Sequence, residues 1–539
     1  MPLAAALAAS PLTPLLREIG AVAAREGLAA YAVGGLVRDL LLGRRTTDVD
    51  VVTLGAGAGL RLAEAVRDAL GARKVHVYEA FGTAAIRLSE RDGDRYGGVS
   101  DVEFVAARRE SYRGESRKPD VQPGTLDDDL ARRDFTLNAL AFDLHPDRFG
   151  ALEDRFGGLA DLGAGILRTP LDAAQTFSDD PLRMLRAARF SAQLDFRIAP
   201  DALDAMRAMA DRLAIVSMER IEAELTKLMA APVPSVGWYA LHAGGLLPHL
   251  VPELSALAGV VAVDGVGHKD NFAHTLQVVD NVAHRSDDLW LRWAALCHDL
   301  GKARTRRFVP GKGWTFHGHA EVGARIVPRL FRRLKLPLDD RMDFVEKLVR
   351  LHHRPHALVD EGVTDSAVRR LLFDAGDDVE DLMTLCRADL TSKNPKRVAR
   401  YLRGFDRVDE KLASVEARDH VRTFQPPVSG EEIMEALGLA EGLAIGILKE
   451  RLKEAVLDGL VPNEHGPAFA FVLAHADDAR RRGRLFEHLR QSLPRDQKRA
   501  LGALRETLAT DPDLPDDEAA ALAYLDAVRH RALAALPPA

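Results

Sequence analysis

The sequence predicts an α+β head domain followed by all-α segments, and three observations carry that expectation. Short apolar runs of strand character, at residues 31–33, 48–52, 74–78, 83–88, 99–106 and 139–144, gather near the N-terminus. Past them, apolar residues recur at helical spacing almost without a break. The 539 residues exceed what one core can organise, so length alone points to about three to four domains. The expected segments are a head over 12–160, a helical neck over 161–262, a second helical domain over 263–410 and a helical tail over 411–539 that ends in a charged extension.

Composition narrows the classes. With 47% hydrophobic residues, several cores are easily filled. No run approaches the ~18 apolar residues of a membrane span, so no membrane association is expected. The apolar opening has no basic residue before Arg17, which argues against a secretory signal. Cys297 and Cys386 are too few for a disulfide framework; both read as small buried hydrophobes, and a reducing cytoplasm is the expected location. A net charge of −7 excludes a uniformly basic coat, so any nucleic-acid contact must come from local patches. The candidates are Arg108, Arg109, Arg113, Arg117 and Lys118; residues 325–335; and Arg480 to Arg484 with Arg490, Arg495, Lys498 and Arg499. Each also reads as a solvated face. No protein partner is implied.

In the head, the strand at 31–33 leads into Gly34-Gly35-Leu36-Val37-Arg38-Asp39. The two glycines permit positive φ and close backbone approach. A short helix is expected over 36–42, its first N–H groups free to hold a phosphate. The next strand carries Asp48 and Asp50. Residues i and i+2 of a strand share a face, so both carboxylates project together while Val49 and Val51 pack inward. A phosphate cradle beside paired carboxylates suits nucleotidyl transfer with two Mg²⁺ ions roughly 3.5–4 Å apart. Helical patterning over 57–70 and three further strands complete a small mixed sheet. Glu103, on the last of them, is a candidate third carboxylate; the alternative is a plain edge residue. The polar, Gly- and Pro-containing stretch 108–124 reads as a mobile loop.

Two arginine motifs follow. In Arg132-Arg133-Asp134, the planar fork of Arg133 matches triphosphate oxygens, and Asp134 can accept from a ribose hydroxyl. In the helix opened by Phe177-Ser178-Asp179-Asp180-Pro181, Ser178 or Asp179 is the expected cap and Pro181 fits the first turn. Arg183, Arg186 and Arg189 recur every third residue as one basic stripe, costly on a half-apolar helix unless something anionic meets it.

The spacing Gly-Gly-x-x-Arg-Asp-x-Leu-Leu-Gly, then Asp-x-Asp, resembles the catalytic motif of the class II tRNA nucleotidyltransferase and bacterial poly(A) polymerase family. That resemblance implies a palm-like nucleotidyltransferase head, with Asp48 and Asp50 as Mg²⁺ ligands and Gly34, Gly35 and Arg38 at the triphosphate. It implies that 108–124 helps nucleotide specificity and that Asp180 and Arg183 read the base edge, with Arg186 and Arg189 beside them. The substrates implied are CTP, ATP and tRNA. The poly(A)-adding branch carries a basic Gly-Arg-Arg/Lys-Phe stretch on its third strand; Ala80-Phe81-Gly82-Thr83-Ala84-Ala85 stands here instead and resembles the CCA-adding branch. CC-only, A-only and poly(A) addition remain alternatives.

A second constellation, His274, His298-Asp299, His319, His352-His353 and Asp389, lies on helical sequence. Imidazoles with carboxylates suit a divalent transition ion. The order resembles the HD phosphohydrolase family. By that match His274, His298, Asp299 and Asp389 hold one ion (Ni²⁺, Co²⁺ or Mn²⁺), and His319 with His352 belong to a second. An alternative reading makes this site the enzyme and the head an RNA-binding module. Around 426–459 the chain resembles the tRNA-binding tail of the transferase family; beyond about residue 463 only composition speaks.

Overall fold

The structure is a computed structural model, and it describes every residue except 1, 72–73, 79–82, 112–119, 261, 264–265, 268–269, 360–363, 393, 420–426 and 536–539. It divides into two compact units, Met1–Arg350 and Leu351–Ala539.

The head is built on a seven-stranded sheet: β1 (Ala30–Val33), β2 (Asp48–Thr53), β3 (Val75–Tyr78), β4 (Thr83–Arg87) and β5 (Asp101–Ala106), then β8 (Leu140–Asp143) and β9 (Leu152–Asp154) after a separate ribbon of β6 (Arg108–Ser111) and β7 (Asp120–Pro123). The spatial order is β3-β4-β5-β2-β1-β8-β9. Only the β2–β5 pair is parallel among the described strand pairs of this sheet. Its register sets Asp48 opposite Asp101 and Asp50 opposite Glu103.

Alternation along β2 follows the side-chain period of two: Val49 and Val51 are buried, Asp48 is exposed and Asp50 is half-buried. Val49 and Val51 join Leu15, Leu16, Ile19, Leu62, Val66, Phe104 and Phe142 in one core beneath the helices Thr13–Arg25 and Ala58–Leu70. Burying a side chain such as Phe104 contributes ~1.5–3 kcal/mol, so the apolar alternation fixes which face holds the carboxylates.

Two local expectations are corrected. The stretch 108–124 is not simply a loop: β6 (Arg108–Ser111) pairs antiparallel with β7 (Asp120–Pro123), and Arg109 Nε donates to Asp128 Oδ1 at 3.0 Å. Arg113, Arg117 and Lys118 lie outside the described residues. Ser178 and Asp179 end one helix, Ala173–Asp179, rather than capping the next, which has Pro181 at its N-cap and Asp180 Oδ1 accepting from Leu182 N at 3.2 Å.

The neck helix Leu182–Leu194 packs against Met218–Met229 and Pro234–Ala243. Trp238 meets Trp293 edge to face at 6.3 Å, and buried Arg292 donates to the carbonyls of Met229 and Ala231. A cation closing a helix C-terminus in this way satisfies orphan carbonyls. It also ties the neck to the helices Asn271–Ala283 and Leu289–Cys297.

The second unit is helical throughout its described elements. Its helices Gly430–Leu437 and Leu443–Leu457 share an apolar core of Val428, Ile433, Ile447 and Leu448. Within the 480–484 run, Arg482 Nη1 donates to the carbonyls of Leu508 and Asp511, and Arg481 Nη1 to that of Pro515. Two members of this expected RNA patch thus dock the C-terminal extension internally.

Candidate active site and metal cluster

The first site forms where β1 ends. Gly34 has φ +74°, and a Cβ there would stand 2.6 Å from Arg133 Nη1 and 3.7 Å from Asp50 Oδ2. Glycine is needed both for the backbone angle and for the space. The helix Gly35–Leu41 follows, carrying Arg38.

Asp50 is held above the ordinary carboxylate range by burial and by the charge of Asp48, with Arg133 opposing. Glu103 is raised by burial and then by Asp50 and Asp48. In both, burial is the largest cause and repulsion from neighbouring carboxylates adds to it. An all-oxygen set of Asp48, Asp50 and Glu103 fits a hard divalent cation. Glu103 lies on an interior strand of the sheet, opposite Asp50 in register.

Arg133 Nη2 donates to Asp129 Oδ2 at 3.2 Å, while its Nε is buried with no hydrogen-bond partner among the described residues. Fully buried Asp129 also receives Arg132. Asp134 accepts from Arg186 Nε at 2.7 Å and from Asn138 Nδ2 at 2.9 Å. Burial alone would raise Asp134, but Arg186 and Asn138 outweigh it and hold the carboxyl at about 2. Arg38 Nη1 donates to Asn138 Oδ1 at 2.7 Å. Asn138 thus joins Arg38 to Asp134, a role that sequence reading missed. So did Asp129, although its three- and four-residue spacing to Arg132 and Arg133 is the usual ion-pair signal on a helix.

The arginine stripe meets protein carboxylates. Arg189 Nε donates to Glu224 Oε2 at 2.6 Å and its Nη1 to Gln193. That geometry makes Arg189 a buried strut between neck helices, not a free phosphate donor, which corrects its expected nucleotide contact. Arg186 serves Asp134 and lies 3.6 Å from Glu224. Arg183 donates to the carbonyls of Thr176 and Arg132, and Asp180 Oδ2 accepts from Arg220 at 2.6 Å. Asp180 and Arg183 therefore neighbour one another in sequence but hold different partners.

The second cluster centres on buried Asp299. His298 Nε2 and His274 Nε2 lie 3.2 and 3.4 Å from Asp299 Oδ2, and His319 Nε2 lies 3.6 Å from Oδ1. The Nδ1 atoms of His298 and His319 sit 2.7 and 2.8 Å from the carbonyls of Ala295 and Phe316. With Nδ1 turned to a backbone carbonyl, each of these rings presents its Nε2 to the carboxylate. Asp299 Oδ1 has no hydrogen bond among the described residues. Burial would raise Asp299, but His298 and Lys302 hold it well below the usual range. This nitrogen-and-carboxylate set fits a divalent transition ion. His352 and Asp389 belong to the second unit, where the His352 carbonyl accepts from Cys386 Sγ at 3.0 Å and the Asp389 charge helps burial push that thiol up.

Models of the poly A polymerase head domain, of a probable RNA and SrmB-binding site of polymerase A, and of the HD domain match residues 30–168, 195–257 and 271–408. A multifunctional CCA protein of Pseudomonas fluorescens is 32% identical over 440 residues, spanning 78% of this chain and 98% of that protein. An A-adding tRNA nucleotidyltransferase of Deinococcus radiodurans is 34% identical over 467 residues, 83% of this chain and 96% of that one. Among solved structures, the Bacillus stearothermophilus CCA-adding enzyme in complex with CTP aligns with TM-score 0.59 and 27% identity, covering 87% of this chain and 98% of that one.

Fold and carboxylate site together define a divalent-metal-dependent nucleotidyltransferase with an appended HD domain. The chain belongs to the tRNA nucleotidyltransferase and poly(A) polymerase family. No described helix is long and apolar enough to cross a membrane.

Proposed function

We propose that this protein, in the cytoplasm, adds C, C and A to the tRNA 3′ end from CTP and ATP without a nucleic-acid template. The observation that carries the reading is the in-register pairing of Asp50 with Glu103 beside Asp48, beneath the Gly34 turn that Arg133 backs. In the reaction the tRNA 3′-oxygen attacks the α-phosphorus and pyrophosphate leaves. Mg²⁺ ions held by Asp48, Asp50 and Glu103 would supply charge neutralisation at the attacking and leaving oxygens. Arg133 and Arg38, with the Gly34-Gly35 backbone, hold the triphosphate. Asp134, fixed by Arg186 and Asn138, accepts from the ribose. Asp180 and Arg183 offer acceptor and donors to the base edge, which requires Arg183 to give up the Arg132 carbonyl.

The similarity to an A-adding enzyme supports a second reading, addition of the terminal A alone. The stretch 80–85 argues against poly(A) synthesis by sequence; its residues 80–82 lie outside the described ones. At the HD domain, His274, His298 and Asp299, with Asp389 by motif order, would hold Ni²⁺, Co²⁺ or Mn²⁺, and His319 and His352 a second ion. The chemistry supplied there is hydrolysis of phosphate esters.

The test is incorporation of labelled CTP and ATP into tRNA lacking its 3′ end. Losing one ligand of the carboxylate site costs several kcal/mol at the transition state, so Asp50→Asn should slow incorporation by about 10³ or more. Incorporation near the wild-type rate would refute the assignment.

A further inference from the structure

Between the two metal-ligating stretches 298–299 and 319 runs a segment to which no role has yet been given. Residues 302–318 contain Lys302, Arg304, Arg306, Arg307 and Lys312 and no acidic residue. The chain itself carries a net charge of −7, so this concentration is local. The segment folds into an antiparallel hairpin, Arg307–Val309 with Gly313–Thr315, in which Phe308 faces Trp314 and Arg307 faces Thr315.

One face of the hairpin is aromatic and cationic in alternation. Phe308 and Trp314 meet edge to face at 5.4 Å, and the Arg306 guanidinium lies 5.8 Å from the Trp314 ring. Lys302 Nζ lies 5.7 Å from the Phe316 ring and 2.7 Å from Asp299 Oδ2. The Phe316 carbonyl faces His319 Nδ1 at 2.8 Å. A continuous strip thus leads from the Asp299 cluster through Lys302 and Phe316 to Trp314 and Phe308. Arg304, Arg307 and Lys312 are exposed around it. At ~3.4 Å per residue, the arm from Phe316 to the Lys312 turn spans about 14 Å, room for a few stacked nucleotides. Rings interleaved with cations are how proteins hold single strands: bases stack and phosphates pair.

We propose that this hairpin docks the single-stranded 3′ end of an RNA and delivers a terminal phosphate ester to the Asp299 cluster. The inference rests on the reading of that cluster as a metal-dependent phosphohydrolase. For a 2′,3′-cyclic phosphate the step is hydrolysis: a water oxygen bonds to phosphorus, one P–O bond breaks, and the released ribose oxygen takes a proton.

The test uses the full chain with Mn²⁺ and two probes, 2′,3′-cyclic AMP and a pentanucleotide ending in a 2′,3′-cyclic phosphate. The ratio of kcat/KM for the pentanucleotide to that for the mononucleotide should fall about tenfold or more in Arg307→Glu/Lys312→Glu, whose residues are exposed, and also in Trp314→Leu. A pentanucleotide carrying 4-thiouridine should photocrosslink within 302–318. An unchanged ratio in both variants, or crosslinks only elsewhere, overturns the proposal. Crosslinking to the hairpin with neither probe hydrolysed would support the docking strip and overturn the hydrolase reading instead.

Discussion

Replacing Asn138 by alanine tests whether the site works as a connected network. Its amide accepts from Arg38 Nη1 at 2.7 Å and donates to Asp134 Oδ1 at 2.9 Å, and the residue is buried. Each is a hydrogen bond to a charged group, contributing ~1.5–3 kcal/mol. The charges do not become unpaired on substitution: Arg38 keeps Asp39 through Nε and Nη2, and Asp134 keeps Arg186 and the Phe135 N–H. The loss therefore corresponds to one such bond rather than two, about 10- to 100-fold in kcat/KM for the nucleotide. Steady-state incorporation of CTP and ATP into truncated tRNA reads it. Preference for ribo- over deoxyribonucleotides should fall in parallel, because Asp134 loses one of the groups that aim it. Asn138→Asp sharpens the test: it retains an acceptor for Arg38 but sets a second carboxylate against Asp134, so it should be no better than alanine. Values of kcat/KM within about twofold of wild type for both variants would refute the network.

Arg183→Ala should relax the choice among CTP, ATP, UTP and GTP while weakening correct incorporation; unchanged selectivity with only a lower Tm would make Arg183 structural. The double change His298→Ala/Asp299→Ala should spare nucleotide addition and abolish metal-dependent hydrolysis of cyclic phosphates, with bound transition ion lost by metal analysis. Because the fold holds Asp50 above its unfolded value, its contribution to stability declines as pH rises through that range and is unfavourable at neutral pH. Asp50→Asn in metal-free buffer should therefore be at least as stable as wild type by chemical denaturation, and lower stability would show Asp50 to be a structural partner of Arg133.

The head was legible where one rule dominates. A period of two along 48–52 decides which way Asp48 and Asp50 face, and the apolar core under Val49 and Val51 enforces it. That Glu103 lies opposite Asp50 was not legible, because parallel pairing of β2 with β5 joins segments about 50 residues apart through a crossover. The arginine stripe was visible as a periodicity, yet its anionic partners were not: Glu224 and Asp134 reach it only through helix packing. The ribbon around 108–123 was hidden because Gly and Pro composition signals a turn equally well at a loop or at a hairpin end. His274, His298 and His319 gather around Asp299, and the backbone carbonyls that orient His298 and His319 leave no trace in sequence.

The central claim is tested most directly by reading the product. Wild-type protein is incubated with a tRNA transcript that ends at the nucleotide before CCA, in a mixture of all four nucleoside triphosphates, and the new 3′ ends are sequenced. The site as described predicts C, C and A in that order and then arrest. C and C without A, a single A added directly, a run of A, or unextended RNA would contradict it.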